Sequence, residues 1–156
     1  MHKDTLLELL KNEALLIDEK SLLEKYNSLL LEIEKSKIIS PIQKLLKYNI
    51  ETMIELKNKT LDKHEDEIIE DMNIELLKSL VNNYMDTYAE GQNEQKIFIG
   101  IIAVYLTFIA KKPLHPEGMF NLDGKALYKH GNVVCPIRKH ELTKPGSLCR
   151  FCVSVS

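Results

Sequence analysis

The segment of residues 97–110 constrains the fold of this chain most, because its residues are apolar almost without interruption: Ile-Phe-Ile-Gly-Ile-Ile-Ala-Val-Tyr-Leu-Thr-Phe-Ile-Ala. As an α-helix the segment rises about 21 Å, less than the roughly 30 Å hydrocarbon core of a bilayer. We therefore predict a central helix that is buried on most sides, and no membrane span. The β-branched residues leave a buried strand as an alternative, but the length favours a helix.

The small residues of this helix suggest how it is packed. Gly100 and Ala103 would let a neighbouring helix approach closely, although Gly100 costs about 1 kcal/mol of helix stability relative to Ala. The apolar surface is also compatible with burial against a second copy of the chain, which would make the protein a homodimer.

Four amphipathic patterns upstream predict four further helices. The first spans about residues 5–17, and the second opens at the capping-box pattern Ser21-Leu22-Leu23-Glu24. The third begins at Ser40-Pro41, a cap followed by proline at the first helical position, and ends near Asn58. The fourth runs from about residues 63–65 to Glu90, before Gly91.

The apolar periods predict which side chains of these four helices face the core. In chain order they are Leu6, Leu9, Leu10, Leu16; Leu22, Leu23, Tyr26, Leu29, Leu30, Ile33; Ile42, Leu45, Leu46, Ile50, Met53, Ile54; and Ile68, Ile69, Met72, Leu76, Leu80, Tyr84, Tyr88.

The composition changes after the apolar segment. Residues 1–110 carry 13 basic and 20 acidic side chains, whereas residues 111–156 carry 8 and 3, together with all three cysteines. We predict a helical bundle over residues 1–112 and a small irregular or β-hairpin cap over residues 113–156, packed together as one cooperative unit. In the hairpin, Ala126–Lys129 would pair with Asn132–Cys135. So short a cap needs the helices, a metal ion or both to be stable.

The cysteines near the C-terminus form the most specific chemical pattern. Cys149 and Cys152 make a Cys-x-x-Cys pair, whose thiolates can both face one ion at about 2.3 Å, and Cys135 can supply a third thiolate. With one imidazole this set predicts a zinc site of three thiolates and a histidine. A cysteine-ligated iron–sulfur cluster, a redox pair at Cys149 and Cys152, and cysteines without a special role are the alternatives.

Three histidines lie in the same region as the cysteines. His115 directly follows the apolar helix, in a loop that Pro116 and Gly118 would hold in shape, and we take it as the fourth ligand. His130 at the tip of the hairpin and His140 among charged residues are the alternatives. The remaining two, His2 and His64, lie in polar helical contexts and are expected to be solvated.

These C-terminal motifs resemble a known family. His115-Pro116-x-Gly118, Cys135-Pro136-Ile137-Arg138 and Leu148-Cys149-Arg150-Phe151-Cys152 resemble the end of an uncharacterised archaeal family, domain of unknown function family 2115, found mainly in methanogens. That family has a glycine-rich turn where this chain has Met119–Gly124. The resemblance implies that His115 and the three cysteines act as one set, in an archaeal cytoplasm, and it implies no activity.

The sequence leaves three classes of function open: a binding module, an enzyme, and a redox-sensing or iron–sulfur protein that uses the same cysteines. A binding module would present the basic side chains Lys111, Lys112, Lys125, Lys129, Arg138, Lys139, Lys144 and Arg150 to an acidic protein, to RNA or to the chain's own acidic helices. The net charge of −2 gives no independent reason to expect nucleic acid.

An enzyme would instead keep one coordination position of the metal open, with Glu117 or His140 as acid or base. The chain has no H-E-x-x-H motif, no glycine-rich phosphate loop and no nucleophile elbow. Whether it catalyses a reaction is left open. Because the first residues show no signal-peptide pattern, a cytoplasmic protein is expected.

Overall fold

The computed structural model describes residues 1–88, 93–116, 127–129, 132–134 and 148–152. It contains five helices in chain order: α1 (Lys3–Ala14), α2 (Glu19–Ser36), α3 (Pro41–Asn58), α4 (Asp71–Tyr88) and α5 (Asn93–Val104). A π-helical segment, Tyr105–Ala110, continues α5, and a short 3₁₀ turn spans Leu148–Phe151. The mainly helical class predicted from the sequence is confirmed.

Two short strands lie where the sequence analysis expects a hairpin. The strands β1 (Leu127–Lys129) and β2 (Asn132–Val134) pair antiparallel, with Leu127 opposite Val134 and Lys129 opposite Asn132. The predicted division of the chain at residue 112 stays a prediction. Three side chains beyond that point, those of Leu114, Leu148 and Phe151, pack against the hydrophobic core of the helices.

The start of α3 is the one the sequence predicts. Ser40 is the N-cap and Pro41 is the first helical residue. The Gln43 amide donates to the Ser40 hydroxyl at 3.1 Å, and the Ser40 amide donates to the Gln43 side chain at 3.0 Å. This reciprocal capping box satisfies two backbone donors that a helix start otherwise leaves open.

The start of α2 differs from the prediction. Asp18, not Ser21, is the N-cap, and its carboxylate accepts the amides of Lys20 and Ser21. The Ser21 hydroxyl also donates to that carboxylate, at 2.8 Å, and this bond is the main reason why the pKa of Asp18 is lowered. Aspartate and serine are both good N-cap residues. With Asp18 as the cap, Ser21 lies inside the first turn, and its hydroxyl donates to the capping carboxylate.

The start of α4 also differs, because residues near its predicted start pair with the N-terminal segment. The Lys3 amide donates to the Glu67 carbonyl at 2.8 Å, and the Ile69 amide donates to the Met1 carbonyl at 2.7 Å. These bonds hold the chain before Glu70 in an extended bridge, so α4 begins only at Asp71. His2 is exposed, as predicted, and its ring nitrogen lies 3.0 Å from the Asp66 carboxylate.

The predicted core stripe of the fourth helix is confirmed at Ile69 and Leu80, which are buried, and is wrong at its other described positions. Met72 and Leu76 face solvent, whereas the buried side chains of this helix are Ile74, Leu77, Leu80, Val81 and Met85. Ile68 and Tyr84 of the same stripe are exposed as well. The stripes of the other helices are right only in part, because the following predicted members are exposed: Leu9, Leu16, Leu23, Ile42 and Leu46. Apolar residues lie on two neighbouring faces of such a helix, so the sequence pattern does not decide which face is buried. Tertiary packing decides it.

The apolar helix lies at the centre, as predicted. Every residue from 101 to 109 is buried, and α1, α3 and α4 all pack against this helix. Its second half is π-helical rather than α-helical. Gly100 does not serve as a close-packing site, since an added Cβ there would meet no atom within 4 Å.

By length and composition, residues 93–110 form the one helix in the described ranges that could cross a membrane. Half of that span is buried inside the molecule. The core helix of a folded protein has the same length and composition, so this observation is weak evidence for a membrane span.

The register of α4 can be tested with a pair of adjacent leucines. Leu77 is fully buried, whereas Leu76 is 41% exposed. We expect Leu77→Ala to lower the free energy of unfolding by about 2–5 kcal/mol, because it leaves a cavity in the core. Leu76→Ala is the matched control and should cost less than about 1 kcal/mol. Urea unfolding followed by circular dichroism measures both, and a larger loss for Leu76 would contradict the register.

The open space beside Gly100 predicts a stabilising substitution. Gly100→Ala should raise the free energy of unfolding by about 0.5–1 kcal/mol, because alanine restricts the unfolded chain and favours the helix. Thermal unfolding should show a melting temperature higher by about 2–4 °C. Ala103→Gly, at a buried position three residues later, should have the opposite sign. A Gly100→Ala protein that is less stable than the wild type would show that the helix packs closely there after all.

Candidate functional site

The C-terminal end of the central helix positions the loop that carries His115. Lys111 adopts a left-handed conformation, with φ of 54°, and its amide donates to the Leu106 carbonyl. The Lys112 amide donates to the same carbonyl at 2.9 Å. This arrangement satisfies the end of the helix and turns the chain sharply into residues 113–116.

Two side chains of α3 hold this loop from one side. The Tyr48 hydroxyl donates to the Pro113 carbonyl at 2.5 Å. Lys112 donates to the Glu55 carboxylate at 3.0 Å. Because α3 is itself packed in the bundle, both contacts tie the loop to a rigid element.

The 3₁₀ turn holds the loop from another direction. Its Phe151 ring meets the Phe108 ring edge to face, with centroids 6.5 Å apart and an interplanar angle of 67°. This geometry is a favourable one for aromatic pairs. The Leu114 amide donates to the Cys152 sulfur at 3.5 Å. The sulfur of Cys152 therefore lies against the residue that precedes His115.

His115 and Cys152 are both half-buried. Burial lowers the pKa of His115 below its ordinary value, because a charged imidazolium loses hydration there. Burial therefore favours the neutral ring, which is the form that can bind a metal ion.

The structure thus places the Cys152 sulfur against the loop that carries His115. Two members of the predicted metal-binding set therefore lie in the same region. Cys149 lies on the 3₁₀ turn, but its side chain is outside the described part of the chain, as is the whole of Cys135. The alternative histidines, His130 and His140, are outside it too. Among the described residues, no group of three or more His, Cys, Asp or Glu side chains could hold a metal ion. The complete ligand set therefore stays a prediction.

Sequence reasoning missed the residues that support this loop. No periodicity or motif connects Tyr48 with Pro113, or Phe108 with Phe151, because these contacts join distant parts of the chain. Tyr105, which is fully buried, was missed as well. Its hydroxyl makes no hydrogen bond to another described residue. Burial raises the pKa of Tyr105, and the nearby Glu55 carboxylate adds a smaller effect in the same direction.

Two lysines of the predicted basic surface are already paired within the chain. Lys111 lies 2.9 Å from the Glu67 carboxylate, and Lys112 lies 3.0 Å from that of Glu55. For these two, the partners are carboxylates of the chain itself, Glu55 on α3 and Glu67 in the extended segment before α4. A groove of about 260 Å³ between α1 and α4, with Glu13, Asp71 and Glu75 on its lining, contains none of the predicted metal ligands.

The fold and the site define a class of small helical proteins in which a half-buried cysteine lies against the loop that carries a half-buried histidine, at the end of a central apolar helix. The family model described as "Uncharacterized protein conserved in archaea (DUF2115)" matches residues 2–156, so the chain belongs to this family. The family resemblance inferred from the C-terminal motifs is confirmed.

Three methanogen relatives illustrate the relationship. A UPF0305 protein of Methanocaldococcus jannaschii is 34% identical over 116 residues, covering 74% of this chain and 70% of the relative. A UPF0305 protein of Methanothermobacter thermautotrophicus is 44% identical over 71 residues, or 43% of each chain. One from Methanococcus maripaludis is 33% identical over 104 residues, 66% of this chain and 63% of the relative, so the last two matches span less than two thirds of those proteins. No solved structure matches this chain.

The contact between Tyr48 and Pro113 predicts how firmly the loop is attached. Tyr48→Phe removes only the hydroxyl and leaves the Pro113 carbonyl without this donor, so we expect a loss of about 1–2 kcal/mol in the free energy of unfolding. Tyr26→Phe is the matched control, since it removes an exposed hydroxyl that donates to Glu51 from α2 to α3 at 2.9 Å. It should cost less than about 0.5 kcal/mol. Equal losses in chemical denaturation would show that the loop is not anchored by Tyr48.

Proposed function

We propose that this protein binds one zinc ion through the thiolates of Cys135, Cys149 and Cys152 and the imidazole of His115. In this proposal the ion fastens the C-terminal region to the helical bundle in a reducing cytoplasm. The protein would then act as a structural or interaction module, with all four coordination positions supplied by the chain.

The observation that carries the proposal is the hydrogen bond from the Leu114 amide to the Cys152 sulfur, at 3.5 Å between residues 38 positions apart. A backbone amide that donates to a sulfur fixes the direction in which that sulfur points, and such bonds orient the ligands of metal sites. The donor, Leu114, directly precedes His115. The loop can therefore present the His115 imidazole to an ion and orient the Cys152 sulfur toward the same ion.

Two further features of the described residues support the same proposal. The neutral state of His115, favoured by burial, satisfies the requirement that metal ligands be deprotonated. In addition, Cys149 lies on the 3₁₀ turn and Cys152 directly follows it. A Cys-x-x-Cys pair at a tight turn can direct both sulfurs to one ion.

The contacts around the loop explain what the ion would contribute to stability. Phe151 and Leu148 rest on the core, but they are only half-buried. A turn of this size gains little from apolar burial alone, whereas a bound ion adds several strong bonds to the folded state. The proposal therefore predicts that order in the C-terminal region is coupled to the metal and that the helices are not.

The proposal is tested by elemental analysis of protein purified anaerobically, where we expect one zinc per chain and no visible absorption. His115→Gln should weaken zinc binding by roughly two orders of magnitude or more, because it removes one of four ligands. His140→Gln and His130→Gln are the matched controls and should bind zinc like the wild type. Binding should also weaken as the pH falls, since protons compete with the ion for the thiolates and the imidazole.

Chelation and Cys149→Ser provide the second part of this test. Both should increase hydrogen exchange from about residue 113 onward, while far-ultraviolet circular dichroism of the helices is retained. Protein without metal, or exchange that is the same with and without chelator, would overturn the proposal. Charge-transfer absorption in the visible would identify iron instead of zinc at the same cysteines.

A further inference from the structure

A group of large apolar side chains stands uncovered at the tip of the hairpin formed by α2 and α3. They are Leu31, exposed by 56%, Ile38 by 76%, Ile39 by 40%, Ile42 by 70% and Leu46 by 48%. We call these five residues the hairpin-tip surface. Two of them, Ile38 and Ile39, are consecutive in the loop between the helices, where polar residues are usual.

The hairpin-tip surface continues a stripe that is part of the core elsewhere. Ile42 and Leu46 are followed at helical spacing by Ile50 and Met53, which are 7% and 0% exposed. The buried residues of α3 all lie between Asn49 and Leu56. The same face of one helix is therefore covered in its second half and bare in its first half.

The partner helix does not cover the bare half. Only Leu22 and Leu29 of α2 are buried, and the contacts of α2 are chiefly with α3. Two helices side by side cannot enclose an apolar face, because a core needs a second layer of secondary structure. Among the described residues of one copy, no further element supplies that layer at the tip of the hairpin.

The size of the hairpin-tip surface matches what a dimer requires. The exposed parts of its five side chains amount to about 500 Å² of apolar area, which is at the upper end of what monomeric proteins leave uncovered. A standard interface buries about 800 Å² per partner, of which somewhat more than half is apolar. One second copy of the same surface would therefore complete an interface of ordinary size.

The surrounding charges indicate the kind of partner. Exposed side chains of both signs lie beside the tip, with Glu34 followed by Lys35 and Lys37. A strongly acidic or basic partner would meet like charges at this rim. A two-fold arrangement brings the same patch against itself, so each acidic group of one copy can face a basic group of the other.

We propose that the hairpin-tip surface is the two-fold interface of a homodimer, in which the α2–α3 hairpins of two copies pack as a four-helix layer. This interface is separate from the central helix, whose residues 101–109 are already buried within one copy of the chain. It does not depend on the metal site, since none of the predicted ligands belongs to α2 or α3.

Sedimentation equilibrium over a range of protein concentrations tests the interface, with the same metal content in every sample. The wild type should be a dimer with a Kd below about 10 µM. Ile42→Lys combined with Leu46→Gln should weaken dimerisation by about 100-fold or more, because charge is placed in an apolar centre. Helix content and the unfolding midpoint at low concentration should not change, since both side chains are exposed.

The matched control combines Leu16→Gln with Met72→Gln, which removes side chains that are 78% and 79% exposed outside the hairpin. This variant should dimerise like the wild type. A second measurement locates the interface: on dilution, the methyl resonances of Ile38, Ile39 and Ile42 should shift, whereas that of Ile68, 75% exposed, should not.

Three results would overturn the proposal. The first is a wild type that is monomeric at about 200 µM, well above the expected Kd. The second is a dimer that persists in the Ile42→Lys and Leu46→Gln variant. The third is a monomer that binds phosphatidylglycerol vesicles through the same isoleucines, which would assign this surface to a membrane.

Discussion

Burial of the central helix is the constraint on which the rest of this structure depends. From Ile101 to Ile109 no side chain faces solvent, so the amphipathic helices must enclose the segment on several sides. Because α1, α3 and α4 each pack on it, their apolar stripes are directed toward one axis. Apart from Lys3, which is buried, the charged residues of these helices are thereby left outside the core, where they keep an acidic bundle hydrated.

The same helix places the candidate site. Its π-helical end and the left-handed Lys111 turn the chain toward α3, where the Tyr48 hydroxyl donates to the Pro113 carbonyl of the loop. The Phe108 ring, which belongs to the core helix, also receives Phe151 from the far end of the chain. The loop with His115 and the turn with Cys152 are therefore positioned by contacts to the core, and a bound ion would join two segments that already touch.

Features set by local signals could be predicted from the sequence, whereas features set by tertiary contacts could not. The start of α3 was predictable because Ser40, Pro41 and Gln43 act within one turn. The start of α4 was not, because bonds from Met1 and Lys3 to residues more than sixty positions away hold the preceding chain extended. In the site, the histidine and cysteine were recognisable from their motifs. Tyr48 was not, since only packing reveals that residue 48 faces residue 113.

The amino-acid sequence alone determined that this chain forms a bundle of amphipathic helices around an apolar one, because burial of apolar surface follows from periodicity and length. It also identified the family and supplied the candidate metal ligands, since both inferences depend on residue type and spacing. Only the tertiary structure decided which face of α4 is buried, which half of α3 is left exposed, and which amide donates to the Cys152 sulfur. Those outcomes depend on contacts between distant segments, whose free energy no local pattern contains.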